Sequence, residues 1–407
     1  MGIKANIHRN SYVLFFLMDI LLNFPLLRSS WSGDDWPNSQ TPYWIEWRYG
    51  DLTFHNVLNE ALYWNKEWMI GTGRFYPLAF IESRIFFSYF QSVQSYKLLQ
   101  FAMMQILLLL FLKYIYRLTQ NHNVTIIFGI IYLACIQFRN DFDPHLGFSL
   151  LLPSLMIKIL VSELFLFKSM QTQGVKQFVY SLISSILLFA SFCTYEYALL
   201  ISPFVVASSI MGLLNNNLKS NIKTALNNKI LPLVLFATSI FSYLIFVFGY
   251  LRPKAKDISG AYVLGLSWKS IPTFIVNCFA GIPLINFSSN DLQYFSKIGI
   301  LLVVIAGIII LLTKSINNSF MYLSKKNAKK SKVFTSKKTY IPENSMRIIL
   351  FIGLLFTFMP ALMLSMQETW WNRIKFGHSY LGVFIQEIGI AFLVIFFYIK
   401  KINKTND

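Results

Sequence analysis

Two adjacent carboxylates, Asp34 and Asp35, lie directly behind the first apolar segment in the run Ser30-Trp-Ser-Gly-Asp-Asp-Trp36. In so apolar a chain, carboxylates held at a bilayer surface are costly unless they bind or react with something. Neighbours at i and i+1 do not face each other on a helix, so the two do not straddle one bond as a glycosidase pair does. One can act as general base on a hydroxyl while the other orients it or holds a divalent cation. The competing reading is a solvated turn or helix cap. The aromatic frame of Trp31, Trp36, Trp44 and Trp47 argues for placement at the membrane surface.

Other candidates follow along the chain. In Gly71-Thr-Gly-Arg-Phe-Tyr-Pro77 the glycines permit tight backbone, and Arg74 can meet a phosphate oxygen or one of the loop's own acids. The segment Arg139-Asn-Asp141-Phe-Asp143-Pro-His145 offers an Asp-x-Asp that can share a divalent cation with phosphate, or simply close a polar turn. Glu196, between Tyr195 and Tyr197, can position a sugar hydroxyl or bond the neighbouring hydroxyls. Arg252, Lys254 and Lys256 follow the seventh expected span, and Arg373, Lys375 and His378 lie in the last outer loop. Positive charge on the outer side runs against the orientation rule; a phosphate leaving group accounts for it, and so does pairing with Asp257, Glu368 or anionic lipid of the outer leaflet.

The elements that position these residues are membrane helices. The 407 residues are 55% hydrophobic and only 13% charged, against about 25% charged in soluble domains. Mean hydropathy is +0.51. Long apolar runs without period-2 alternation predict an all-α integral membrane protein, not a barrel. About ten spans are expected, near 11–27, 98–117, 124–139, 146–167, 177–194, 196–213, 230–250, 296–313, 346–366 and 379–399. The first has no small-residue cleavage site behind it and reads as a retained anchor.

Lys4, His8 and Arg9 put the N-terminus in the cytoplasm, and the Lys325–Lys338 block marks another cytoplasmic segment. Both termini then face inward. That parity makes 270–287, with Pro272, Gly281 and Pro283, a re-entrant or interfacial piece. All nine Trp and most acids fall on the outer side, as an enzyme working there requires.

The whole chain, 1–407, reads as one polytopic domain. Within it, 28–95 is an extracytoplasmic loop with amphipathic interfacial helices, and 314–345 is a basic cytoplasmic loop. In the first of these, Leu58, Leu62 and Met69 alternate with Glu60, Lys66 and Glu67, the pattern of a helix lying on the bilayer. The net charge of +18 sits in short inter-span segments, which points to anionic lipid and away from nucleic acid. Cys135, Cys193 and Cys278 are isolated in apolar stretches and read as buried hydrophobes.

A first span, then Asp34-Asp35, then a long loop ending in Gly73-Arg74-Phe75 resembles the GT-C superfamily of integral-membrane glycosyltransferases, most of all bacterial Gtr-type (O-antigen glucosyltransferase-like) proteins. The resemblance covers the hydropathy plan of most of the chain, and its motifs cover about 30–80. It implies a polyprenyl-phosphate sugar as donor and an acceptor hydroxyl on a glycan, lipid or protein. It also implies a site on the outer face of the bacterial cytoplasmic membrane. The superfamily's catalytic acidic motif maps onto Asp34 and Asp35, and a second acidic motif of some relatives onto Asp141 and Asp143. Arg74, Glu196, Arg252, Lys254, Arg373 and His378 are then candidates for substrate binding. Two other classes compete. A lipid-glycan flippase or transporter predicts charges spread along the spans and internal repeats, and a glycan polymerase predicts its long outer loop late in the chain.

Overall fold

The computed structural model describes residues 2–136, 144–148, 150–204, 230–256, 265, 267–282, 341–368, 371 and 381–406. Over these residues the chain is helical, as expected. Among the described residues, five helices are long and apolar enough to cross a membrane. They are α6 (Val93–Thr119), α9 (Gly174–Phe192), α10 (Ile230–Leu244, prolonged to Lys254), α12 (Glu343–Ser365) and α13 (Gly382–Asn406). α1 (Gly2–Leu27) and α8 (Leu151–Gln171) are of comparable length. α8 carries Lys158, Glu163 and Lys168, too many charges for a plain span. α7 (His122–Cys135) is shorter than the expected 124–139 and ends at Ile136. The expected span 296–313, the second half of 196–213 (205–213), and the cytoplasmic loop up to 340 lie outside the described residues.

Short, capped connections make antiparallel neighbours. α6 starts at Ser92, whose hydroxyl accepts from Ser95 N–H, and stops at Gln120 in the left-handed region (φ 49°). Asn121 then caps α7 by accepting from the N–H groups of Asn123 and Val124. α6 packs on α7 and α8, α8 on α9, and α9 on α10; on the other side α7 packs on α13, α13 on α12, and α12 on α11 (Ser270–Cys278). Where these layers meet, Phe392 touches the rings of Phe111, Phe128 and Phe356.

α12 and α13 approach closely because each presents a glycine to the other. A Cβ on Gly353 would lie 2.7 Å from Leu393 Cδ2, and one on Gly389 would lie 2.6 Å from Thr357 N. α11 has nine residues, about 14 Å at 1.5 Å per residue, less than half a bilayer core. Of the segment 270–287, expected to be re-entrant or interfacial, residues 283–287 lie outside the described residues.

The segment 28–95 folds into α2 (Asp35–Asn38), α3 (Thr41–Tyr49), α4 (Phe54–Thr72) and α5 (Pro77–Tyr89). One residue of the expected polar face of α4, Glu60, lies inside. The buried face of α4 is Val57, Glu60, Ala61 and Asn65, while Leu62 is exposed. Glu60 is inside because Arg48 on α3 pairs with it at 2.8 Å and Trp64 Nε1 donates to its second oxygen at 2.7 Å. Trp44, Trp47, Tyr63 and Trp64 stay exposed.

Two buried pairs, one between charged groups and one between a carboxylate and an imidazole, lie inside the bundle. Arg117 on α6 meets Glu163 on α8, and His145 Nε2 meets Glu387 Oε2 on α13 at 2.7 Å. Glu163 and Glu387 thus each have a basic partner, as burial demands. Asp19 on α1, equally buried, instead accepts from Asn23 Nδ2 at 2.6 Å.

Candidate functional site

α2, α4, α5, α6 and the turns before α8 and α13 enclose a cavity of about 390 Å³. Asp34, Asp35, Glu82 and Arg74 line it, with Asn38 beside them. Trp68, Tyr76, Phe80, Tyr96, Phe148 and Tyr195 supply aromatic walls. Residues from 34 to 381 in sequence therefore share one concave, largely apolar site with few polar groups, the usual form of a small-molecule site.

The two adjacent aspartates diverge. Asp34 is exposed at the cavity, and Asp35 is buried. Asp34 stands at the start of α2, yet its side chain makes no capping hydrogen bond, which removes the helix-cap reading. Desolvation by the surrounding protein raises the Asp34 pKa above its ordinary value. Asp35 lies within electrostatic reach of Lys97, which is fully buried at the start of α6 and donates to Leu146 O at 3.4 Å. Trp31 fixes the approach to α2 by packing on Tyr96 and Phe87, whose rings stack at 4.6 Å.

Arg74 is held from three sides. Its Nε donates to Tyr76 Oη at 2.5 Å and its Nη2 to Glu196 Oε2 at 3.2 Å. Its guanidinium also lies over the Tyr76 ring at 4.5 Å. Arg252 Nη2 reaches the other oxygen of Glu196 at 3.5 Å. These three side chains sum formally to one positive charge. Burial, then the Glu196 charge, push the Tyr76 phenol well up, so it remains protonated at neutral pH.

Backbone contacts hold this corner. Gly73 has φ +68°, and a Cβ there would lie 2.8 Å from Arg252 Cα. Lys256 N–H donates to Ile70 O, Leu78 N–H to Cys193 O, Tyr76 N–H to Asn65 Oδ1 and Tyr243 Oη to Phe75 O. Arg252 follows a π-helical turn, Ile245–Leu251, that widens the end of α10. Such turns recur at functional sites.

The structure thus brings together Asp34, Asp35 and Arg74 in the cavity, with Glu196 and Arg252 behind Arg74. Lys254 turns to the Tyr250 ring at 3.6 Å and does not line the cavity. Asp141, Asp143, Arg373 and His378 lie outside the described residues. Among the described residues no three His, Cys, Asp or Glu side chains gather as metal ligands would. The three cysteines are unbridged and buried.

Sequence reasoning missed Glu82, Lys97 and Lys158. Lys158 Nζ pairs with Glu82 Oε1 at 2.5 Å. The signal was present: a Lys inside an apolar run calls for a carboxylate partner. Which carboxylate it takes is a matter of tertiary packing. Comparison of the chain with protein-family models, curated proteins and solved structures gives no match.

Proposed function

We propose that this chain is a membrane glycosyltransferase that moves a sugar from a polyprenyl-phosphate carrier to an acceptor hydroxyl at the outer membrane face. The observation that carries the reading is the shared cavity. The acidic pair behind the first helix and the Gly-Arg-Phe arginine, 39 to 40 positions apart in sequence, line the same aromatic-walled space.

Each group has a role in an inverting displacement. Asp34, accessible and with a raised pKa, is the better proton acceptor and takes the acceptor's proton. The acceptor oxygen attacks the anomeric carbon, and the bond from that carbon to the phosphate oxygen breaks. The electron pair leaves with the phosphate, which needs no proton. Arg74, backed by Arg252, stabilises that charge. Asp35, buried beside Lys97, orients the acceptor or the loop. The exposed tryptophans of α3 and α4 suit the headgroup layer, where a lipid-linked donor presents its sugar.

Asp34→Asn and Asp35→Asn proteins, purified at wild-type yield, should lose transfer from polyprenyl-phosphate sugars by at least about 100-fold, the usual scale of a general base. Both retaining full transfer would refute the reading. Translocation of lipid-linked glycan by both variants, with no transfer by the wild type, would establish a flippase instead.

A further inference from the structure

Glu82 differs from the two aspartates in how it is held. Lys158 Nζ meets its Oε1 at 2.5 Å, and Ser154 Oγ donates to its Oε2 at 2.5 Å. Lys158 also donates to Ser154 Oγ, so donors one turn apart on α8 clamp the carboxylate in a single orientation. Even so, 23% of the Glu82 side chain stays accessible, and it lines the cavity. Each carboxylate oxygen has two lone-pair sites. One on each oxygen is used by α8, which leaves two coplanar acceptor sites for a ligand. Two such acceptors match two hydroxyls on adjacent ring carbons. Phe80 and Trp68, which line the same cavity, pack together 6.0 Å apart and supply an apolar wall.

We propose that Glu82 is a specificity-determining residue that accepts hydrogen bonds from a vicinal diol of the glycosyl unit. The inference rests on the glycosyl-transfer reading above. It names the sugar class: a ring with two free neighbouring hydroxyls, and not one in which either is removed or acylated.

The test is equilibrium binding to the full-length protein in lipid nanodiscs. The probes are farnesyl phosphate, its glucosyl, galactosyl and mannosyl derivatives, and each single-deoxy analogue of the tightest of them. One hexosyl probe should bind wild type about 10-fold or more tighter than farnesyl phosphate alone. Glu82→Gln should lose that increment, by roughly 10- to 100-fold, the scale of hydrogen bonds to a charged group. Two analogues deoxygenated at adjacent positions should lose it in wild type and lose nothing further in Glu82→Gln.

Glu82→Gln leaves Lys158 without its partner and can fail to fold. The double variant Glu82→Gln/Lys158→Met removes both charges and should fold, yet still lack the increment. If the double variant regains the increment, or Glu82→Gln keeps it, Glu82 serves only to neutralise Lys158 and the inference is overturned. Equal binding of farnesyl phosphate and all its hexosides overturns it too. Absence of binding by every probe, farnesyl phosphate included, would instead overturn the glycosyl-transfer reading on which it stands.

Discussion

Gly73 is the point where the candidate site is most sensitive to a single methyl group. An alanine there must adopt φ +68°, which costs a non-glycine residue roughly 1–2 kcal/mol. Its Cβ must also displace the Arg252 backbone from 2.8 Å to ordinary contact, which begins at 3.4 Å. Overpacking of this kind costs about 1–3 kcal/mol. The retreat of about half an ångström falls on an Arg252–Glu196 contact already at 3.5 Å, the edge of hydrogen-bond range. Gly71, two residues earlier and inside α4, has nothing within 4 Å of its Cβ position, so Gly71→Ala should be neutral or stabilising by up to ~1 kcal/mol.

A thiol-reactive dye offers the assay, because all three cysteines are buried until the protein unfolds. Gly73→Ala should melt several degrees below wild type and bind a prenyl phosphate less tightly, and Gly71→Ala should melt at or above wild type. Coincident melting of the two variants would refute the close approach of Gly73 to Arg252.

Three further outcomes are expected. The raised pKa of Asp34 means the native state binds that proton more tightly than the unfolded chain does. Stability from this group is therefore full below the unfolded carboxylate pKa, near 3.9, and is lost as pH rises through the folded value. Asp34→Asn should melt higher than wild type at pH 7, the gap closing toward pH 4; a variant that melts lower at pH 7 would contradict the desolvation argument. Glu196→Gln leaves Arg74 and Arg252 facing each other and should destabilise by about 3 kcal/mol, partly restored by Arg252→Met in the double variant; equal melting of Glu196→Gln and wild type would show that the cluster is not coupled. Gln40→Cys places an accessible thiol beside α2 in a chain whose own cysteines are hidden, so a membrane-impermeant maleimide should label it in intact cells; labelling only after the membrane is opened would put the acidic pair on the cytosolic side.

Local signals in the chain carried much of the fold. Helical class follows from apolar runs, and the divergence of Asp34 and Asp35 follows from adjacency alone. The two glycines before Arg74 read as tight backbone. Why one of them has no room for a methyl depends on a residue about 180 positions further on, and no local pattern encodes that. Glu60 shows the opposite failure. Its place among apolar neighbours suggested a solvated face, but Arg48 from the preceding helix and Trp64 from its own draw it inside. Glu82 looked like one acid among many outside the spans. Its orientation is set by Lys158 and Ser154, more than 70 residues later, and it became legible only when α5 and α8 were seen together.

The reciprocal glycines of α12 and α13 have a mechanical consequence. Two helices notched into each other at Gly353 and Gly389 cannot slide or roll independently, since either motion drives Leu393 or the Thr357 backbone out of its socket. The pair therefore behaves as a rigid strut. A hinge that admits a bulky guest has to be sought elsewhere, among the short helices between residues 35 and 89.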